Sequence, residues 1–92
     1  MISEEILKEI EKFGSLAFTP QQVALVTEIP EEEFMNALED KTSEIYRSYY
    51  KGVYTREAEL RTVVFDQALS GSTPAQTIAN SYINKLKLDL IK

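Results

Sequence analysis

The sequence predicts an all-α protein of about five helices, in which a helix-turn-helix is followed by a helical hairpin. Apolar side chains recur every three or four residues along five stretches, which is the spacing of one helix face. The three glycines and three prolines stand where these stretches start or stop. No stretch combines alternating polarity with β-branched residues, so no sheet is expected.

The first helix is expected over residues 3–13, with Ser3 as its N-cap and Gly14 closing it. Its apolar face carries Ile2, Ile6, Ile10 and Phe13. A short second helix is expected over residues 20–28. The run Thr-Pro-x-Gln at 19–22 is the pattern of an N-cap, a first-turn proline and a capping-box glutamine.

A third helical stretch is expected over residues 31–51, between Pro30 and Gly52. Its apolar face carries Phe34, Leu38, Ile45 and Tyr49. Whether it is one helix or two stays open, because the run Asp-Lys-Thr-Ser at 40–43 contains three residues that prefer caps and turns.

Two more helices are expected over residues 55–70 and 73–91, capped by Thr55 and by Thr73, with Gly71 between them. A second Thr-Pro-x-Gln run opens the last helix. We therefore expect one helical domain over residues 1–92, with a helix-turn-helix part at about 3–40 and a hairpin part at about 43–91.

Charge is distributed unevenly along the chain. The net charge is −5, but residues 1–40 hold ten acidic and two basic side chains, and residues 41–92 hold eight basic and five acidic ones. Electrostatic attraction between the acidic part of one copy and the basic part of another can support head-to-tail association. The acidic N-terminus and the lack of an apolar run of about 20 residues predict a cytoplasmic protein that does not enter a membrane.

The residue types that catalysis uses most are missing. There is no histidine and no cysteine, which removes the commonest general base, metal ligand and nucleophile. No phosphate-binding glycine loop occurs. Consecutive helical residues such as Glu31, Glu32 and Glu33 point about 100° apart and cannot all face one ion. We expect no catalytic residue, no cofactor and no metal, so the function should be binding.

Residues 20–38 have the pattern of a helix-turn-helix. Ala24 stands where the first helix needs a small side chain, and Ile29 and Phe34 are at inward positions. The same pattern also occurs in helical hairpins that never touch DNA. The three glutamates of the second helix would be repelled by phosphates, and the polar side chains suited to base edges are Gln21, Gln22 and Asn36.

A second candidate surface follows at residues 46–56, where tyrosines alternate with cations. Such interleaving suits phosphate contact and base stacking. Its cations, together with the next one along the chain, are Arg47, Lys51, Arg56 and Arg61. The alternative is structural: the tyrosines half-bury and the cations are solvated or pair with Glu44, Glu57 and Glu59.

The runs at residues 18–34, 48–52, 58–61 and 68–75 resemble the small terminase subunits of tailed bacteriophages. The shared features are the helix-turn-helix, a Tyr-x-x-Gly helix end at 49–52 and an Ala-x-x-Gly-x-x-x-Ala junction at 68–75. The similarity extends over about residues 18–86. The fold it implies is a helix-turn-helix followed by an oligomerising helical hairpin.

The resemblance implies a non-enzymatic accessory protein of viral genome packaging, from a phage or a prophage in a bacterial host. Such subunits bind double-stranded DNA, form homo-oligomeric rings and pass DNA to a large terminase subunit. The helix-turn-helix positions map to Gln21, Gln22, Glu31, Glu32, Met35 and Asn36. The hairpin positions map to Tyr49, Tyr50, Lys51, Gly52, Leu60, Val64 and Ala68.

From the two candidate surfaces we expect DNA contacts at Arg47, Lys51, Arg56, Arg61, Gln21, Gln22 and Asn36. We expect an oligomer interface at Tyr49, Tyr50, Leu60, Val64 and Tyr82. The alternative function is an acidic helical interaction or regulatory module that does not bind DNA, based on the acidic residues 1–40.

Overall fold

A computed structural model describes residues 2–91, and the described chain is all-helical without a strand. The five helices are α1 (Glu4–Ser15), α2 (Pro20–Thr27), α3 (Glu31–Leu38), α4 (Glu44–Leu69) and α5 (Thr73–Ile91). The predicted all-α class with about five helices is confirmed. The chain forms two compact units, and the boundary between Arg56 and Glu57 falls inside α4.

The predicted caps of the first two helices are present. The Ser3 hydroxyl accepts a hydrogen bond from the amide of Ile6 at 3.2 Å. At α2, the Thr19 hydroxyl accepts from the amide of Gln22, and the Gln22 side-chain oxygen accepts from the amide of Thr19. This reciprocal pair satisfies two of the amides that a helix start leaves unpaired.

The stretch at residues 31–51 is two helices, which settles the open alternative. The Asp40 carboxylate accepts from both the amide and the hydroxyl of Thr42, at 2.9 and 2.7 Å, and so holds a turn between α3 and α4. These hydrogen bonds lower the pKa of Asp40, the one from the Thr42 hydroxyl most strongly. Ser43 then caps α4 by accepting from the amide of Tyr46 at 3.2 Å.

The predicted helix end at Gly52 and the predicted N-cap at Thr55 are wrong. Both residues lie inside α4, which continues to Leu69. Gly52 is buried, and a Cβ atom there would meet the backbone of Glu11 and Ser15 in α1. The glycine is needed because α4 packs closely on α1. The local sequence around a glycine does not show whether it ends a helix or allows such close packing.

Two other helix-end predictions are also corrected. Gly14 does not close α1: it is a buried helical residue against the backbone of Tyr49, and the left-handed residue after this helix is Ala17, with φ 64°. At α5 the cap is Ser72, whose hydroxyl accepts from the amide of Ala75 at 3.4 Å, and Thr73 is already helical. Gly71 has φ 104° and ends α4 as predicted.

The first unit has a continuous apolar core built by α1, α2, α3 and the start of α4. Its buried apolar side chains are Ile10, Val23, Ala24, Phe34, Ile45 and Tyr49. The Phe34 and Tyr49 rings meet edge to face with their centroids 6.2 Å apart. The Tyr49 hydroxyl donates to the carbonyl of Phe18 at 2.7 Å, so the polar end of this buried ring is satisfied.

The second unit is an antiparallel pair of helices, formed by residues 57–69 of α4 and by α5, with a turn at residues 70–72. The Phe65 and Tyr82 rings lie 6.3 Å apart, and the Gln76 amide donates to the carbonyl of Ala68 at 3.1 Å. In the described part of this unit, up to Ile91, the buried residues are Ala75 and Ala79.

Candidate interaction surfaces

The helix-turn-helix pattern is formed by α2, α3 and the turn between them. Ala24 and Phe34 are buried, and Ile29 packs against the core while its amide donates to the carbonyl of Ala24 at 3.0 Å. Glu28 caps α2 in a left-handed conformation, with φ 59°, at the position where glycine is common. The inward positions predicted from the sequence are therefore correct, and the turn forms with Glu28 at the position where glycine is common.

The outward face of this element is acidic. Glu31, Glu32 and Glu33 are exposed in the first turn of α3, where the helix dipole favours acidic side chains. Gln21 and Asn36 are exposed as expected, but Gln22 is held in the capping box of α2. A helix with this face would bring negative charge to the phosphates of a DNA groove.

A shallow groove lies between α2 and the start of α3. Its lining residues are Gln21, Ala24, Leu25, Glu28, Ile29, Pro30 and Glu31. Leu25 is 79% exposed at the groove, because Val23, Ala24 and Thr27 occupy the inward face of α2, and Leu25 and Val26 between them point outward. This groove was not predicted from the sequence. The spacing of the inward-facing residues of α2 does, however, indicate that Leu25 is exposed.

The basic-aromatic segment lies on the first half of α4. The rings of Tyr46 and Tyr50 are 4.7 Å apart, and those of Tyr50 and Tyr54 are 5.8 Å apart and nearly parallel. The three tyrosines are spaced four residues apart, so they form one row along the helix. Tyr46 and Tyr50 are half-buried and Tyr54 is exposed, so the row lies partly at the surface, with its rings packed on one another.

The four predicted DNA-binding cations divide between the two units. Arg47 and Lys51 are exposed in the first unit, and the Lys51 ammonium is 3.8 Å from a carboxylate oxygen of Glu11. Arg56 donates from Nε to the carbonyl of Ser15 at 2.9 Å and thereby joins α4 to α1. Arg61 belongs to the second unit, with its guanidinium carbon 4.3 Å from the centroid of the Tyr82 ring.

The predicted oligomer residues also have different environments. Tyr49 is a core residue of the first unit, and burial, with a smaller contribution from Tyr50, raises the pKa of its phenol. Its ring is therefore not part of an outer surface. Leu60 is exposed in the second unit, where Val64 and Tyr82 are half-buried.

The second unit leaves a large apolar surface uncovered. On α4, Leu60 is 60% and Val63 is 52% exposed. On α5 the exposed large apolar side chains are Ile78, Ile83, Leu86, Leu88, Leu90 and Ile91. Exposed apolar side chains in this number are typical of a surface that contacts another protein.

Within residues 2–91 no group of carboxylates is arranged to hold a metal ion, and no helix is long and apolar enough to cross a membrane. No protein-family model matches the chain, and no curated protein and no solved structure shows significant similarity to it.

Proposed function

We propose that this protein is a non-enzymatic assembly module, in which the second unit joins copies to one another and the first unit carries a partner-binding surface. The resemblance to small terminase subunits makes viral genome packaging the proposed setting. Double-stranded DNA is then the first partner, and a large terminase subunit the second.

The observation that supports self-assembly is the apolar surface around Leu60 and Val63. The helical pair to which they belong has Ala75 and Ala79 as its buried residues in the described chain, so little apolar area is removed from water inside it. Fully burying a leucine contributes about 1.5–3 kcal/mol, so covering several of these side chains with a second copy would strongly favour association.

The observation that supports DNA as a partner is the surface around Arg47 and Lys51. Both cations are exposed on α4, the helix that carries the tyrosine row. Cations supply phosphate contacts, and ring faces supply stacking or packing against sugars. We assign the DNA contact to α4 and not to α3, because the three glutamates of α3 would oppose it.

The self-assembly proposal is tested by light scattering on wild-type protein and a Leu60→Glu/Val63→Glu double variant over a range of concentrations. We expect the wild type to exceed monomer mass at micromolar concentrations and the variant to lose mass. Ala58→Glu/Thr62→Glu adds the same charge on another exposed face of the same helix and should associate like the wild type. A wild type that stays monomeric at high concentration would refute the proposal.

The DNA proposal is tested by fluorescence anisotropy with labelled duplex DNA at two salt concentrations. An Arg47→Glu/Lys51→Glu variant should lose binding, and wild-type binding should weaken as salt rises, because phosphate contacts release counterions. Lys8→Glu/Lys12→Glu changes the charge equally on α1 and should bind like the wild type. Arg56 is left intact because it joins α4 to α1.

A second candidate function is supported by the exposed acids of α3. If the protein does not bind DNA even at low salt, the favoured function is a regulatory module that docks a basic protein. The acidic face of Glu31, Glu32 and Glu33 would be its binding surface. Binding of a lysine-rich peptide that weakens in a Glu31→Gln/Glu32→Gln/Glu33→Gln variant would support this alternative.

A further inference from the structure

The end of α5 carries a face that the hairpin does not use. With about 100° between successive helical residues, Leu88 and Ile91 lie far around the helix from the buried Ala75 and Ala79. Leu88 is 64% and Ile91 is 80% exposed. They take no part in the packing between α4 and α5, and they lie on a different side of α5 from the helix face that packs on α4.

Cations flank this apolar face. Lys87 lies on one side of Leu88 and Ile91 and Lys85 on the other, and both lysines are exposed. Asn84, Lys87, Leu88 and Ile91 follow the spacing of zero, three, four and seven residues by which a helix presents side chains to a groove. The end of α5 is therefore a basic amphipathic helical segment.

The groove between α2 and α3 has the complementary properties. Leu25, 79% exposed, and the half-buried Ile29 are apolar lining residues, and Glu28 and Glu31 add two exposed carboxylates to the lining. A helix with two apolar side chains flanked by two lysines is complementary to a groove whose lining includes two large apolar side chains and two glutamates.

We propose that the end of α5 of one copy docks in the α2–α3 groove of a second copy. Lys85 and Lys87 then face Glu28 and Glu31, and Leu88 and Ile91 cover Leu25. The contact joins two different surfaces, so it repeats from copy to copy and generates a ring or an open filament. It extends the proposed self-assembly by a second interface, distinct from the apolar surface at Leu60 and Val63.

The test is a charge swap measured by sedimentation velocity in low salt. A groove variant, Glu28→Lys/Glu31→Lys, and a helix-end variant, Lys85→Glu/Lys87→Glu, should each lose the head-to-tail contact, because each places like charges together. An equimolar mixture of the two should regain it, since the groove of each variant then meets an oppositely charged helix end.

The control is Glu4→Lys/Glu5→Lys, which makes the same charge change in the first turn of α1. It should associate like the wild type. A second pair of variants removes the apolar part of the contact: Leu25→Ser should weaken association at least tenfold, and Leu16→Ser, at an exposed leucine outside the groove, should leave it unchanged. If the charge-reversed groove variant fails to fold by circular dichroism, the Leu25→Ser pair decides the question.

The two proposed interfaces differ in their dependence on salt, so measurements at high salt distinguish them. At about 1 M salt the Debye length is roughly 3 Å, so the charged contact is screened and the apolar contact at Leu60 and Val63 remains. Loss of mass in Leu60→Glu/Val63→Glu at high salt reports the proposed function alone. The head-to-tail contact is refuted if both charge-reversed variants sediment like the wild type at low salt, or if both are weakened and their mixture does not recover.

Discussion

Gly52 of α4 lies directly against the backbone carbonyl of Glu11 in α1, and the two helices cross there without a side chain between them. One turn earlier along α4, the backbone of Tyr49 lies against Gly14 of α1. The two glycines allow each helix to approach the backbone of the other. The Lys51–Glu11 ion pair and the hydrogen bond from Arg56 to Ser15 lie beside this crossing.

Gly52→Ala should destabilise the first unit even though alanine is the better helix former. Alanine in a helix is favoured over glycine by about 1 kcal/mol, but its Cβ would overlap the backbone of Glu11, which cannot move aside as a side chain can. We expect a net loss of about 2 kcal/mol in the free energy of unfolding, measured by urea denaturation. Thr55→Ala, at an exposed position of the same helix, should be neutral or slightly stabilising, and equal behaviour of both variants would contradict the close crossing.

Tyr49→Phe should cost about 1 kcal/mol, because it leaves the carbonyl of Phe18 without its hydrogen-bond donor. The variant should also change the alkaline stability profile. Burial raises the pKa of the Tyr49 phenol in the folded protein, so its contribution is fully present below the unfolded pKa and is lost as pH rises through the folded pKa.

Denaturation midpoints at pH 8 and above pH 10 measure this effect. The wild type should lose more stability over that interval than Tyr49→Phe does. Tyr54→Phe is the control, because the Tyr54 ring is exposed on the same helix, and it should keep the wild-type slope. An unchanged slope in Tyr49→Phe would mean that the phenol is not protected from ionising.

Ala17→Gly should stabilise the protein. Ala17 has φ 64° in the loop after α1, a left-handed conformation that costs a residue with a Cβ roughly 1–2 kcal/mol. Glycine removes that cost but gains freedom in the unfolded chain, so we expect a net gain of about 0.5 kcal/mol. Ala58→Gly, inside α4, should instead lose about 1 kcal/mol, and thermal melts of the two variants should shift in opposite directions.

Thr19→Ala should lose about 1 kcal/mol through the capping box of α2. The variant removes the acceptor for the amide of Gln22, an amide that helix geometry otherwise leaves unpaired. Thr19→Ser keeps the hydroxyl and should retain most of the stability. If Thr19→Ala and Thr19→Ser melt at the same temperature, the cap contributes nothing measurable.

The wrong predictions at Gly52 and Thr55 have a tertiary cause, and the misplaced cap of α5 has a local one. The predicted helix end at Gly52 and the predicted cap at Thr55 rest on local preferences, and both lie inside α4 because contacts with α1 favour an uninterrupted helix there. At α5, Ser72 accepts the hydrogen bond that was expected of Thr73, one residue further along. Local preferences for glycine, threonine and serine are worth about 1 kcal/mol each, which tertiary packing readily exceeds.

Some features of the candidate interaction residues could be predicted from the sequence, and others could not. Sequence composition and spacing identified the exposed cations Arg47 and Lys51 and the acidic start of α3. They could not reveal that Tyr49 is buried, that Gln22 is used as a cap, or that Leu25 lies open at a groove. Each of these depends on which side of a helix meets a neighbour.

By itself the sequence determined the helical class, the caps at Ser3 and Thr19 and the uneven charge. Those features arise from residues within one or two helical turns of each other, so their physics is present in any short window of the chain. Only the tertiary structure decided that α4 runs through Gly52, and which side chains of α2 and α5 stay exposed. These outcomes depend on backbone and side-chain contacts between residues as far apart as Glu11 and Gly52, which no local pattern encodes.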